Sequence, residues 1–361
     1  MKNGQSLYLD LIRFLMAFEV MIGHATFHGY TGRGFLWQLD PFRHLQTAVM
    51  GFFVLSGFVI AYIADTRERD GISYASARIA RMHSVIIPAL LVTLLFDWLG
   101  LSINPDFYQT WDFPTPIGDD QGWRYLLSFL YLNNTWIFPN MNPGTNGPFW
   151  TMTYEVMYYV MFGLALYIKG KKKYALLIFV AAIAGPAILT YSGIWLLGAG
   201  AYYLQKRKVL APLISAILFM ASLLLILTLS AYGPTIKANL DGQTAPFYYA
   251  IGILFALNIY SSAGIDAYLF RLFGGAHKRI RQLGMLTFAL YLCHRPLLNF
   301  FSVFKVDEPS TIIQKLWLFS GTIAIVVAVA HCGEWMRVWI FNGVSAVLRR
   351  LSRTDQPKPQ T

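Results

Sequence analysis

Apolar runs of membrane-crossing length recur along the whole chain, separated by short polar breaks. A helix needs about 20 mostly apolar residues to cross a bilayer. Stretches of that kind lie at roughly 7–29, 47–64, 83–101, 149–168, 174–192, 193–205, 211–231, 246–260, 283–304 and 316–336. The pattern predicts an all-α fold, a polytopic transmembrane helical bundle of about ten spanning helices. The run at 193–205 is short, and its Trp and Tyr residues are expected at the membrane boundary. An eleventh run, 123–138, is interrupted by Asn133 and Asn134 and followed by the loop-like PNMNPGTNGP.

The polar breaks set the orientation, because cytoplasmic loops are enriched in Lys and Arg. Clusters at Arg67–Arg69, Arg78–Arg81, Lys169–Lys173, Lys206–Lys208, Arg271–Arg281 and Arg337–Lys358 fall on one side if 123–138 does not cross. Were it to cross, every later loop would change sides and the clusters would divide. That segment is therefore expected to be re-entrant or interfacial, with both termini cytoplasmic in a multi-pass protein of the cell inner membrane. Asp106, Asp112, Asp119 and Asp120 then face outward. Residues 1–340 form one transmembrane domain, and 341–361 a polar cytoplasmic tail.

Composition sharpens this. Of 361 residues, 56% are hydrophobic and 13% charged, against roughly a quarter charged in soluble domains. The net charge of +11 raises nucleic acid as a partner, but the basic residues sit between apolar runs, as a topology signal requires. Cys293 and Cys332 lie in apolar stretches and make neither a disulfide framework nor a metal spacing. The first run carries Arg13, Glu19 and His24, so a cleaved signal peptide is not expected.

Ionisable side chains inside spans are costly and usually face the bundle interior or a wet cavity. In LYLDLIRFLMAFEVMIGHA, Arg13 and His24 are eleven residues apart, which returns to nearly the same helix face about 16 Å further along the axis. Asp10 lies one turn below Arg13 and within about 40° of that face. These three form a polar track; Glu19 points away from it and is expected to be neutral or paired with another helix. The alternative for the track is a structural polar contact between helices. His28 and His44 read as surface histidines.

Arg78 and Arg81, three residues apart, share a face on which two guanidiniums can seat a phosphate or pyrophosphate; ordinary topological anchoring is the competing reading. Trp150 and Glu155 open another span, where the carboxylate can orient a histidine or a sugar hydroxyl; its alternative is pairing with a neighbouring helix. His294 and Arg295 lie in an apolar run ahead of Pro296, which frees a backbone carbonyl one turn earlier. His294 either lines a cavity or packs.

Five of these pieces resemble the membrane acyltransferase-3 family, which O-acylates glycans at bacterial and other cell surfaces. They are LDLIRFLMAFEVMIGHA with Arg13 and His24 at the family spacing, GFFVLSGFVIAY at 51–62, ARIARMH with Arg78 and Arg81, PFWTMTYE at 148–155 and FALYLCHRPL at 288–297. Glu19 and Thr151–Tyr154 depart from the family pattern. The resemblance implies transfer of an acetyl or other short acyl group from cytoplasmic acyl-CoA to a hydroxyl of a cell-surface or exported polysaccharide, with a glycan acceptor that can be lipid-linked. It makes His24 the catalytic histidine, Arg13 its partner, and Arg78 with Arg81 the donor-binding pair; Trp150 and Glu155 belong to a further family motif, and Glu155 is placed with the catalytic residues as a carboxylate that can orient His24. Asp10, Trp150 and His294 are expected to be structural or to line the cavity. Acetyl-CoA or another short acyl-CoA is the donor substrate; no metal and no nucleic acid are expected, and membrane lipids are the surroundings. The rival reading is a transporter using the same buried charges as a substrate or proton pathway, against which stands the lack of an inverted repeat.

Overall fold

The computed structural model describes residues 1–26, 45–110, 118–238, 244–304 and 311–354. His28, His44 and Asp112 lie outside them. Among the described residues every regular element is helical and no strand occurs. In order they are α1 (Asn3–Ala25), α2 (Leu45–Thr66), α3 (Gly71–Ile103), α4 (Pro105–Thr110), α5 (Gln121–Phe129), α6 (Trp150–Tyr167), α7 (Lys171–Arg207), α8 (Pro212–Ala231), α9 (Gly233–Ala238), α10 (Ala245–Ser262), α11 (Asp266–Phe273), α12 (His277–Ser302) and α13 (Ile312–Thr354). The all-helical expectation holds. By length and composition five of them can cross a membrane, or six if α10 with α11–α12 is one span bent by 86°. The expected figure of about ten crossings is thus not reached on that measure. Helices α1 and α6 are not among the five; each carries the polar side chains described below.

Helix α7 corrects one boundary. The sequence pattern divides this region between residues 192 and 193, but the break is at Gly185, whose backbone is non-helical at φ 82° and ψ 176°. A continuous 37-residue helix would be about 55 Å long. Instead, both ends of α7 meet the same short stretch of chain. Lys206 Nζ bonds the Asp65 carboxylate at 2.7 Å, and Tyr167, just ahead of Lys171, donates to the Glu68 carbonyl at 3.0 Å. The arms 171–184 and 186–207 therefore run out and back, and Gly185 marks the far end of the bundle. The second arm packs closely on α2: a Cβ on Gly57 would overlap the Trp195 carbonyl oxygen, and one on Gly198 the Val54 carbonyl oxygen. Small residues at such crossings let membrane helices approach backbone to backbone.

The interrupted run at 123–138 does not form a spanning helix. Helix α5 has nine residues, about 14 Å of rise, and residues 130–146 then fold into turns. Asn133 and Asn134 both donate to Asn142 Oδ1 at 3.0 Å. This segment reaches two proline breaks. Pro186 and Pro296 have no N–H, so the carbonyls of Ala182 and Leu292 lose their helical donors. Trp136 Nε1 donates to Ala182 O at 2.7 Å, and Asn146 Nδ2 to Leu292 O at 2.8 Å. Asn146 also donates to Thr93 Oγ1 at 3.0 Å and is fully buried. Asn146→Ala leaves a buried carbonyl without its donor and is expected to cost roughly 1–3 kcal/mol. A fall in the thermal unfolding midpoint checks this; an unchanged midpoint would assign the Leu292 carbonyl another donor.

Helix α1 packs chiefly against α12, α2 against α7, and α3 against α13. The α1–α12 seam carries the candidate site.

Candidate functional site

Arg13 and His24 both face α12. Arg13 Nη2 donates to the Gly284 carbonyl at 3.0 Å and to Asp10 Oδ1 at 3.2 Å. One helical stretch further along, His24 Nδ1 stands 2.9 Å from His294 Nε2, with ring centroids 4.9 Å apart. The eleven-residue spacing on α1 thus meets a ten-residue spacing on α12, from Gly284 to His294, and the two helices run the same way along the seam.

The hydrogen bonds assign the tautomers. His294 Nδ1 lies 2.9 Å from the Leu290 carbonyl, which can only accept, so Nδ1 carries the proton. With both rings neutral, Nε2 of His294 is then an acceptor and receives the Nδ1 proton of His24, which also lies 2.9 Å from the Val20 carbonyl. This arrangement puts the basic lone pair of His24 on Nε2. A histidine held in one tautomer by a buried partner is the geometry a general base requires. His294 is thus hydrogen-bonded as well as packed, and it, rather than Glu155, is the group bonded to His24 among the described contacts.

Below this pair lies a cavity of about 890 Å³. Arg13, Arg67, Arg78, Arg81, Arg281 and Arg337 face it, against the carboxylates Asp10, Glu68, Glu155 and Glu334. Arg78 is ion-paired to Glu68 and lies over the rings of Tyr74 and Tyr159, 5.1 and 5.9 Å from their centroids. Burial raises the Glu68 carboxyl above the ordinary range, and the Arg78 charge works against that shift. Arg81 is 3.4 Å from Glu334, which also holds Arg337 at 2.8 Å. Asp10 is shared between Arg13 and Arg281. The cations outnumber the carboxylates, and the Nε–H groups of Arg13 and Arg78 are buried with no acceptor among the described residues. Orphaned guanidinium donors in a cationic cavity fit a polyanionic ligand such as a phosphate group.

The cavity ends against Phe52, Phe53, Thr151, Met152 and Tyr291. The Tyr291 ring is 6.2 Å from the ring of His294 and 5.4 Å from that of Phe52. It stands between the arginine cavity and the histidine pair. Glu155 lies inside the cavity, accepting from Ser56 Oγ at 3.0 Å and from the Tyr159 hydroxyl; Trp195 Nε1 reaches Ser56 Oγ at 3.2 Å. Trp150 packs edge-on against Tyr154 and Phe53, with centroids 4.9 and 6.5 Å apart, and does not line the cavity.

The structure therefore brings Asp10, Arg13, Arg78, Arg81 and Glu155 around one space and His24 with His294 above it. Sequence reasoning missed Arg67, Glu68, Arg281, Glu334 and Arg337. Glu334 carried a signal, as a carboxylate inside the apolar run 316–336; the three arginines were indistinguishable from topological anchors, and Glu68 from an ordinary loop carboxylate.

A family model described as an acyltransferase domain, acyltransferase-3, matches residues 6–331. No curated protein and no solved structure matches the chain.

Proposed function

The chain belongs to the acyltransferase-3 family, and on that premise we propose that it moves an acetyl or other short acyl group from acyl-CoA to a hydroxyl of a cell-surface or exported polysaccharide. The observation that carries the reading is the cavity of six arginines, two with orphaned N–H donors, ending one ring short of a tautomer-fixed histidine pair.

In this mechanism the donor enters from the Lys/Arg-rich end, with its phosphates on Arg78 and Arg81 and with Arg13 deeper in the same cavity. Its pantetheine arm covers the rise of about 16 Å from Arg13 to His24, passing Tyr291. His24 Nε2 takes the proton of the acceptor hydroxyl as its oxygen attacks the thioester carbonyl. Collapse of the tetrahedral intermediate expels the CoA thiolate, which leaves with the proton returned by His24. His294 accepts the His24 Nδ1–H throughout and holds the ring. The clustering of Lys206, Tyr167, Arg281 and Arg337 contacts at one end of the bundle supports the orientation with termini and donor in the cytoplasm of a cell whose inner membrane holds the protein. The family match does not favour the transporter reading.

Purified protein in liposomes, given acetyl-CoA labelled in the acetyl group, tests this. Label should appear as free acetate without acceptor and on the glycan with it; no turnover of any short acyl-CoA would overturn the donor assignment. Arg81→Ala is expected to raise the donor KM roughly 10- to 100-fold, the value of a charged hydrogen bond, with kcat little changed. A loss confined to acceptor affinity would count against the phosphate seat.

A further inference from the structure

A second cavity, of about 660 Å³, opens between α3 and α6 on the flank of the bundle. Its walls are apolar, formed by Ile72, Ala75, Ile79, Val160 and Leu164. Val160 is 40% exposed, so the slot opens sideways, and α3 is one of the helices long and apolar enough to cross a membrane. Along α3 the lining runs from Ile72 to His83, about 16 Å of rise, and there Tyr131 closes it with a hydroxyl 3.1 Å from His83 Nδ1. At its open end, beside Ile72, stands Arg349; Arg78 lies midway along the α3 wall and is shared with the arginine cavity. Among the described residues one carboxylate lines that end, Asp70, which is bound by the amide and hydroxyl of Ser73 at 2.8 and 3.0 Å and also feels the Arg349 charge.

We propose that this slot binds one anionic glycerophospholipid, with an acyl chain between α3 and α6 and the phosphate at Arg349. The side-opening, apolar and blind-ended shape suits a hydrocarbon chain drawn from the surrounding bilayer. The cationic mouth distinguishes it from a site for any neutral tail, because a basic side chain near the membrane surface favours anionic lipid by about 1 kcal/mol. The site does not depend on the acyltransferase reading.

Native mass spectrometry of the full chain in a mild non-ionic detergent tests it, with phosphatidylglycerol and phosphatidylcholine of identical chains as probes. The protein should retain one phosphatidylglycerol in preference to phosphatidylcholine by roughly fivefold or more. Val160→Trp, which fills the slot from its exposed side, should lose both; Arg349→Ala, an exposed position, should bring phosphatidylglycerol down to the phosphatidylcholine level with an unchanged melting midpoint. Equal retention of the two lipids, wild-type retention in Val160→Trp, or unchanged preference in Arg349→Ala would overturn the proposal. Displacement of phosphatidylglycerol by an equal concentration of polyprenyl phosphate would overturn it too, assigning the slot to a saccharide carrier. Should Val160→Trp fail to fold, the Arg349→Ala arm and the comparison of headgroups still decide.

Discussion

Replacing His24 with alanine is expected to abolish most acyl transfer, lowering kcat/KM by roughly 10²- to 10⁴-fold, the usual contribution of a positioned general base. The donor should still bind, because the arginines that face the cavity lie a long helical rise below His24. Labelled acetyl-CoA binding at wild-type affinity, with turnover lost, is the expected signature. The substitution removes one ring at a half-buried position, so the protein should remain folded. Unchanged turnover in His24→Ala would falsify the assignment of the base, and no reinterpretation of the arginine cavity would rescue it.

The second large effect is expected at His294, a positioning residue. It is fully buried, donates to the Leu290 carbonyl and accepts from His24. His294→Leu removes one of the two acceptors of the His24 Nδ1–H and leaves the Val20 carbonyl alone, so the ring is held less firmly and its protonated form loses a hydrogen-bond partner. Removing the side chain that orients the catalytic imidazole costs much of the rate in a serine protease, and a fall in kcat on the order of 10²-fold is expected here, with donor KM unchanged. His294→Gln, whose amide oxygen can accept from the same N–H, should recover part of the rate. Equal rates for Leu and Gln would mean that His294 serves only to pack, since both variants fill the space but only one accepts a hydrogen bond.

What sequence could and could not reveal follows from the range of each signal. The shared flank of Arg13 and His24 was legible because helical period is a local property: eleven residues fix an angle whatever surrounds the helix. The proline-freed carbonyl before Pro296 was legible for the same reason. Its donor, Asn146, was not, because a distance of nearly 150 residues carries no periodicity. Register between helices decides which side chain meets His24, so sequence could offer Glu155 as a group able to orient a histidine and leave His294 to line the cavity or pack, but could not pair His294 with His24. The break in α7 was expected among the aromatic residues near 192, but Gly185 followed by Pro186 is where the backbone can leave helical geometry at least cost. The spanning count suffers from the opposite problem: α1 and α6, on which His24 and Glu155 are proposed to act, hold polar side chains that mask their membrane character.

Residues 130–146 reach two distant helices at the carbonyls that prolines leave bare. Trp136 with Pro186, and Asn146 with Pro296, are therefore heritable couples, each meaningful only when both halves are present. A chimera built by swapping this hairpin alone between homologues would strand a donor or an oxygen on each side of the cut. Recombination points should fall outside such couples, and an exchange that carries all four positions together is the one that should fold.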